Sequence, residues 1–113
     1  MKSPKWDTLK CSDVIRNLYR YHKNEGTQYH DGVAYGIEQT LNIYAIQIRG
    51  INASNKSVAT AHLRNKRLTA DDRVQLLIAD AFENIYEGDP NDSLYWTGVY
   101  DGVNQTLSLL GKR

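Results

Sequence analysis

One stretch of this chain occurs twice. Residues 29–43 read Tyr29-His30-Asp31-Gly32-Val33-Ala34-Tyr35-Gly36-Ile37-Glu38-Gln39-Thr40-Leu41-Asn42-Ile43, and residues 95–109 read Tyr95-Trp96-Thr97-Gly98-Val99-Tyr100-Asp101-Gly102-Val103-Asn104-Gln105-Thr106-Leu107-Ser108-Leu109. The Tyr, both Gly, Val, Gln, Thr and Leu return at an offset of 66 residues. At about 100° per residue, Tyr29, Gly32, Val33, Gly36, Ile37, Thr40, Leu41, Ile43 and Tyr44 fill one arc of a helix, with Asp31, Ala34, Glu38 and Asn42 opposite. The matched positions are therefore expected inside. The mismatched pairs Asp31/Thr97, Ala34/Tyr100, Tyr35/Asp101 and Glu38/Asn104 are expected outside.

The repeat can be extended. An offset of 63 lays Cys11, Val14, Ile15, Leu18, Tyr19 and His22 on Val74, Leu77, Ile78, Ala81, Phe82 and Ile85, two sets at three- and four-residue spacing. The unit is then a helical hairpin, which cannot bury its apolar face alone. The expected fold is all-α: two repeated hairpins, over 4–50 and 69–111, packed as a pseudo-twofold four-helix domain spanning 1–113.

Helix boundaries follow from local chemistry. Ser3-Pro4 offers an N-cap and first helical residue, with Ser12 as a later start, and Gly26 a stop. Thr27 caps the second helix, which is expected to close at Arg49-Gly50, although β-branched Ile46 and Ile48 allow its last turn to run extended. Thr69 opens the third helix with Asp71 and Asp72 in its first turn, where carboxylates favour the helix dipole. Gly88-Asp89-Pro90 ends it and starts a fourth over 90–110. Between the hairpins, 51–68 reads as a long basic connector, partly helical over 57–67.

Glycine inside a helix costs about 1 kcal/mol against Ala, so four at matched places need a reason. Gly32 and Gly36, like Gly98 and Gly102, lie one turn apart, and Thr40 and Thr106 extend each row. Such a row lets another backbone approach closely. The second and fourth helices are expected to cross at these rows, with Gln39 and Gln105 as matched amides beside the crossing, bonding backbone or each other.

Composition excludes several function classes. With 113 residues, 41% hydrophobic and 24% charged, the chain has the make-up of one globular domain. No apolar run approaches the roughly 20 residues of a membrane span, and the first residues lack the apolar core of a signal peptide. A single cysteine, Cys11, rules out an internal disulfide framework or Cys-rich zinc site and fits a reducing cytoplasm. Cys11 itself aligns with Val74 and reads as buried and inert.

Catalysis and metal binding find little support. His30 and Asp31, adjacent on a helix, point about 100° apart and cannot form a dyad. His22 aligns with Ile85 and reads as a core or boundary residue, and no two histidines stand four apart. Phosphate loops, dinucleotide fingerprints and nucleophile elbows are missing. The expectation is a protein that is not an enzyme and takes no cofactor.

Binding is the better reading. Net charge is only +1, yet it is sharply divided: residues 39–70 carry five bases and no acid, residues 71–101 eight acids against Arg73. Such polarity often finds a charged partner, or else neutralises itself within the fold. Eight tyrosines and two tryptophans supply the side chains that carry interface hot spots. Asp80, Glu83, Tyr86, Glu87, Trp96, Tyr100 and Asp101 are accordingly the candidate partner-binding face. The alternatives are nucleic-acid binding through Arg49, Lys56, Arg64, Lys66 and Arg67, and a nucleotide-sized ligand held between the hairpins. A homodimer is open on either reading, and no membrane association is expected.

The pattern Tyr-x2-Gly-x3-Gly-[Ile/Val]-x2-Thr-Leu, at Tyr29–Leu41 and Tyr95–Leu107, resembles a helix of small all-helical accessory proteins from phages and other mobile elements. That resemblance implies a host-takeover role in the host cytoplasm, such as inhibition of a defence nuclease or CRISPR effector.

Overall fold

The computed structural model describes residues 4–51 and 67–112, with side chains from residue 11 onward. Four α-helices are present among the described residues: α1 (Pro4–Glu25), α2 (Gln28–Ile43), α3 (Ala70–Glu87) and α4 (Ser93–Leu109), the last preceded by a 3₁₀ turn at Pro90–Asp92. Among the described residues there is no strand, and the fold is all-α. The body of the connector lies outside the described residues, and with it the short helix expected over 57–67.

Helix starts follow the capping residues. The Thr27 hydroxyl accepts the His30 N–H and the Thr69 hydroxyl the Asp72 N–H, each satisfying a donor that the first turn leaves without a partner. Gly26, at φ +70°, supplies the left-handed turn between α1 and α2.

The end of α2 differs from expectation. It stops at Ile43 instead of running to Arg49. Ala45 turns left-handed at φ 56°, its N–H bonding Asn42 O, while Ile46 N–H reaches back 2.8 Å to Leu41 O. This is the Schellman arrangement, which satisfies the last carbonyls and forbids another turn. Helix α4 ends the same way, with Gly111 at φ 72° and Lys112 N–H on Leu107 O at 2.9 Å. Beyond α2, Ile48 and Ile51 fold back into the α1/α2 core, and Arg16 Nε donates 2.7 Å to the Arg49 carbonyl.

The inner pair meets backbone to backbone. A Cβ on Gly32 would fall 2.0 Å from Tyr95 O, and one on Gly98 would fall 2.0 Å from Tyr29 O. A Cβ on Gly36 would lie 2.5 Å from Val99 O, and one on Gly102 2.3 Å from Val33 O. The contacts are reciprocal at the 66-residue offset. Thr40 and Thr106, fully buried, each donate to the glycine carbonyl one turn back, at 2.8 and 2.7 Å.

A separate core lies on each side of this seam. Ile15 and Tyr19 of α1 close over Val33, Ile37 and Leu41; Val74, Leu77 and Ala81 of α3 close over Val99, Val103 and Leu107. The outer helices do not follow the expected offset of 63. Cys11 Sγ donates to Leu109 O and Arg73 donates to Ile43 O, the last residues of α4 and α2; these two outer residues are 62 apart. One residue of offset is about 100° of rotation, enough to bring Val14 and Phe82 out of the core, 50% and 53% exposed. The connecting turns differ as well: residues 88–92, which hold the 3₁₀ turn at Pro90–Asp92, are three more than residues 26–27.

Two further expectations fail at the seam. Gln39 is 1% exposed with its Oε1 lacking a partner, whereas Gln105 is exposed, so the amides are not matched. Of the mismatched positions, Ala34 is buried, and Tyr35 and Asp101 meet the opposite inner helix: Tyr35 lies 6.0 Å from the Tyr95 ring and Asp101 accepts 2.7 Å from Tyr29 OH. Ala34 is covered in the α1/α2 core with Ile15 and Tyr19, and for the other two reach decides, since a tyrosine at the edge of a close crossing still touches the facing helix.

Candidate functional site

The stripe Val74, Leu77 and Ala81 commits one face of α3 to the core and turns Phe82 and Tyr86, one turn apart, toward solvent. Phe82 is 53% and Tyr86 72% exposed, with ring centroids 4.8 Å apart. Tyr100 comes across from α4 to 6.4 Å from the Phe82 ring. The groove between these helices is about 620 Å³, floored by Ile78 and edged by Glu83 and Glu87. Both carboxylates are exposed, and neither has an ion-pair partner among the described residues.

Of the residues expected on this face, the structure brings together Glu83, Tyr86, Glu87 and Tyr100. Asp80 is half-buried on α3, its backbone carbonyl accepting from Asn84 Nδ2. Trp96 packs edge-on to Tyr95 against the α3/α4 core. Asp101 lies across the seam on Tyr29. Phe82, absent from the expected set, is its central ring. The misplaced offset hid it, and the spacing Val74, Leu77, Ala81 would have found it, because that stripe leaves 82 and 86 together on the flank.

The basic candidates are only partly placed. Arg49 and Arg67 are exposed at the two ends of the connector, while Lys56, Arg64 and Lys66 lie outside the described residues.

Elsewhere the chain supplies its own cations to its tyrosines. Tyr19 OH donates to Glu38, and Lys23 Nζ stands 3.8 Å from that carboxylate and 5.9 Å over the Tyr19 ring. Tyr44 OH donates to Asp71, with Lys112 Nζ 4.4 Å over its ring. Burial, then the carboxylate, pushes the Tyr19 hydroxyl well above the usual phenol range and the Tyr44 hydroxyl up to about 12. Tyr29 is raised to about 12 by burial and Asp101, and Tyr95 to about 12 by burial and then Tyr35. All four phenols are therefore donors at neutral pH.

The titratable groups otherwise cluster at the α1–α2 turn. His22, 7% exposed, and His30 approach Nδ1 to Nδ1 at 2.6 Å, with Tyr21 edge-on to both rings. Such a contact needs one N–H and one lone pair. Burial, followed by the neighbouring His30 charge, lowers the His22 pKa, and Glu25 acts weakly the other way. Among the described residues, no three His, Cys, Asp or Glu side chains converge as metal ligands. Cys11 is half-buried with its thiol on a carbonyl, and no described helix is long and apolar enough to cross a membrane. No protein-family model, no curated protein and no solved structure matches this chain.

Proposed function

We propose that this is a non-enzymatic protein that binds another macromolecule, a protein, through the α3/α4 face. One observation carries the reading: Phe82 and Tyr86 stand uncovered side by side, flanked by carboxylates that have no cation among the described residues. Covering a large apolar side chain is worth roughly 1.5–3 kcal/mol, and this fold leaves that gain unused at two adjacent residues. Paired exposed aromatics with a polar rim are the anatomy of an interface hot spot. The surrounding segment 71–101 carries eight acids and one base. An acidic surface of this kind suits the basic cleft of a nucleic-acid enzyme, and inhibition of a host defence effector is the sharpest version of the proposal.

The test is comparative capture from a host lysate with the full chain and two variants, Phe82→Ala/Tyr86→Ala and Glu83→Gln/Glu87→Gln. These positions are exposed, so circular dichroism and melting should match the parent. A stoichiometric partner held by the parent and lost from both variants is the expected result. A partner held equally by all three overturns the assignment of this face.

A further inference from the structure

Four places among the described residues combine an aromatic ring with a carboxylate: Tyr29–Asp101 is a hydrogen bond across the seam, and of the other three, two hold a cation. At Tyr19–Glu38 the cation is Lys23, and at Tyr44–Asp71 it is Lys112. At the first the ammonium also stands 3.8 Å from the carboxylate, so that ring quadrupole and full charge attract one cation together; at the second it stands 4.4 Å over the ring. The third place, Phe82 and Tyr86 with Glu83 and Glu87, has two rings and two carboxylates but no cation among the described residues.

We infer that the α3/α4 groove is built to take arginine side chains from a protein partner. This rests on the docking face proposed above and names its chemistry. The geometry favours guanidinium over ammonium. The two rings are held 4.8 Å apart at 50°, with Tyr100 behind, giving a surface against which a flat delocalised cation stacks. The two carboxylates stand one helical turn apart along the rim, where they accept the forked N–H donors of a stacked guanidinium. A lysine ammonium meets only one acceptor at a time and keeps its hydration more strongly. The partner segment that matches is a helix or extended strand presenting two arginines about one helical turn apart.

The groove is open and its aromatic rim exposed, so binding of one isolated peptide is expected to be weak and readable by chemical shift. The full chain, isotope-labelled, is titrated with blocked alanine-based helical peptides carrying two Arg four residues apart, and with the same peptides carrying citrulline, Lys or trimethyl-lysine. Saturable shifts confined to Phe82, Glu83, Tyr86, Glu87 and Tyr100 are expected with Arg, with binding about tenfold weaker for citrulline, which keeps the shape and loses the charge. Raising salt should weaken the Arg complex further. No shift at α3, or equal binding of citrulline, overturns the inference, and so does tighter binding of Lys or trimethyl-lysine. The parent chain alone decides this, and Phe82→Ala/Tyr86→Ala, which should abolish the shifts, is a second arm. If lysate capture depends on this face while the arginine peptides do not bind, the guanidinium assignment fails and the docking face stands.

Discussion

The hairpin α1–α2 and the hairpin α3–α4 agree where backbone meets backbone and part company where side chains decide. Their inner helices exchange reciprocal glycine contacts and end in the same carbonyl-capping turn, one through Ala45 and the other through Gly111. Their outer helices share neither charge nor cover. Helix α1 fixes its exposed tyrosine, Tyr21, against two histidines, whereas α3 leaves Phe82 and Tyr86 exposed beside carboxylates with no ion-pair partner among the described residues. The shared geometry is a spine, and the second outer face, which keeps aromatic rings uncovered, is the one proposed above for binding.

The largest expected effect tests the spine. Gly98→Ala or Gly32→Ala would place a methyl 2.0 Å from a backbone carbonyl oxygen that has no rotamer to yield. Each should destabilise the protein by about 3 kcal/mol or more, although the same change on an exposed helix stabilises by about 1 kcal/mol. Urea unfolding reads the difference, and a loss below about 1 kcal/mol would contradict so close a seam.

Acid tests the α1–α2 turn, which has no counterpart in the other hairpin. His22 has a folded pKa below its unfolded value, so the unfolded chain binds more protons as pH falls. Its stabilising contribution is complete above about pH 6.5 and is lost below it, by at most about 1.4 kcal/mol for each pH unit of depression. Relieved of the neighbouring charge, a His30→Ala protein should lose less between pH 7.5 and 5.5; an unchanged slope would show that the 2.6 Å contact is irrelevant to it.

The helix ends give a smaller and signed pair. Left-handed backbone costs an L-residue about 1 kcal/mol relative to Gly. Ala45→Gly should therefore stabilise by about that amount and Gly111→Ala destabilise similarly, both visible in the melting temperature. Smallest is the amide comparison. Gln39→Met removes a buried oxygen with no partner and should gain up to about 1 kcal/mol, while the exposed Gln105→Met should stay within about 0.5.

The all-helical class and the caps at Thr27 and Thr69 were legible because each rests on local chemistry that tertiary packing does not override. The end of α2 was less so: alanine carries no left-handed signature, and only its alignment with Gly111 betrays Ala45. Glu83, Tyr86, Glu87 and Tyr100 could be read as one face because an acidic block and two edge tyrosines share it. Phe82 was hidden by the offset of 63, since one residue of error turns a helix by more than a quarter circle, although the stripe Val74, Leu77 and Ala81 carried the signal. The His22–His30 contact was equally hidden, because it joins residues across a turn whose angle no spacing rule supplies.

The glycine seam has a consequence for how this molecule can change. Side chains that pack into a core lose rotamer freedom on folding, up to about 2 kcal/mol each, but glycine has none to lose. The α2/α4 contact therefore orders no side chains at its closest points and depends on none of their shapes. Substitutions on α1 or α3 find no side chain to repack at the glycine contacts themselves. An outer surface of this chain can diverge, or be redesigned for a new partner, while the frame that presents it keeps its geometry.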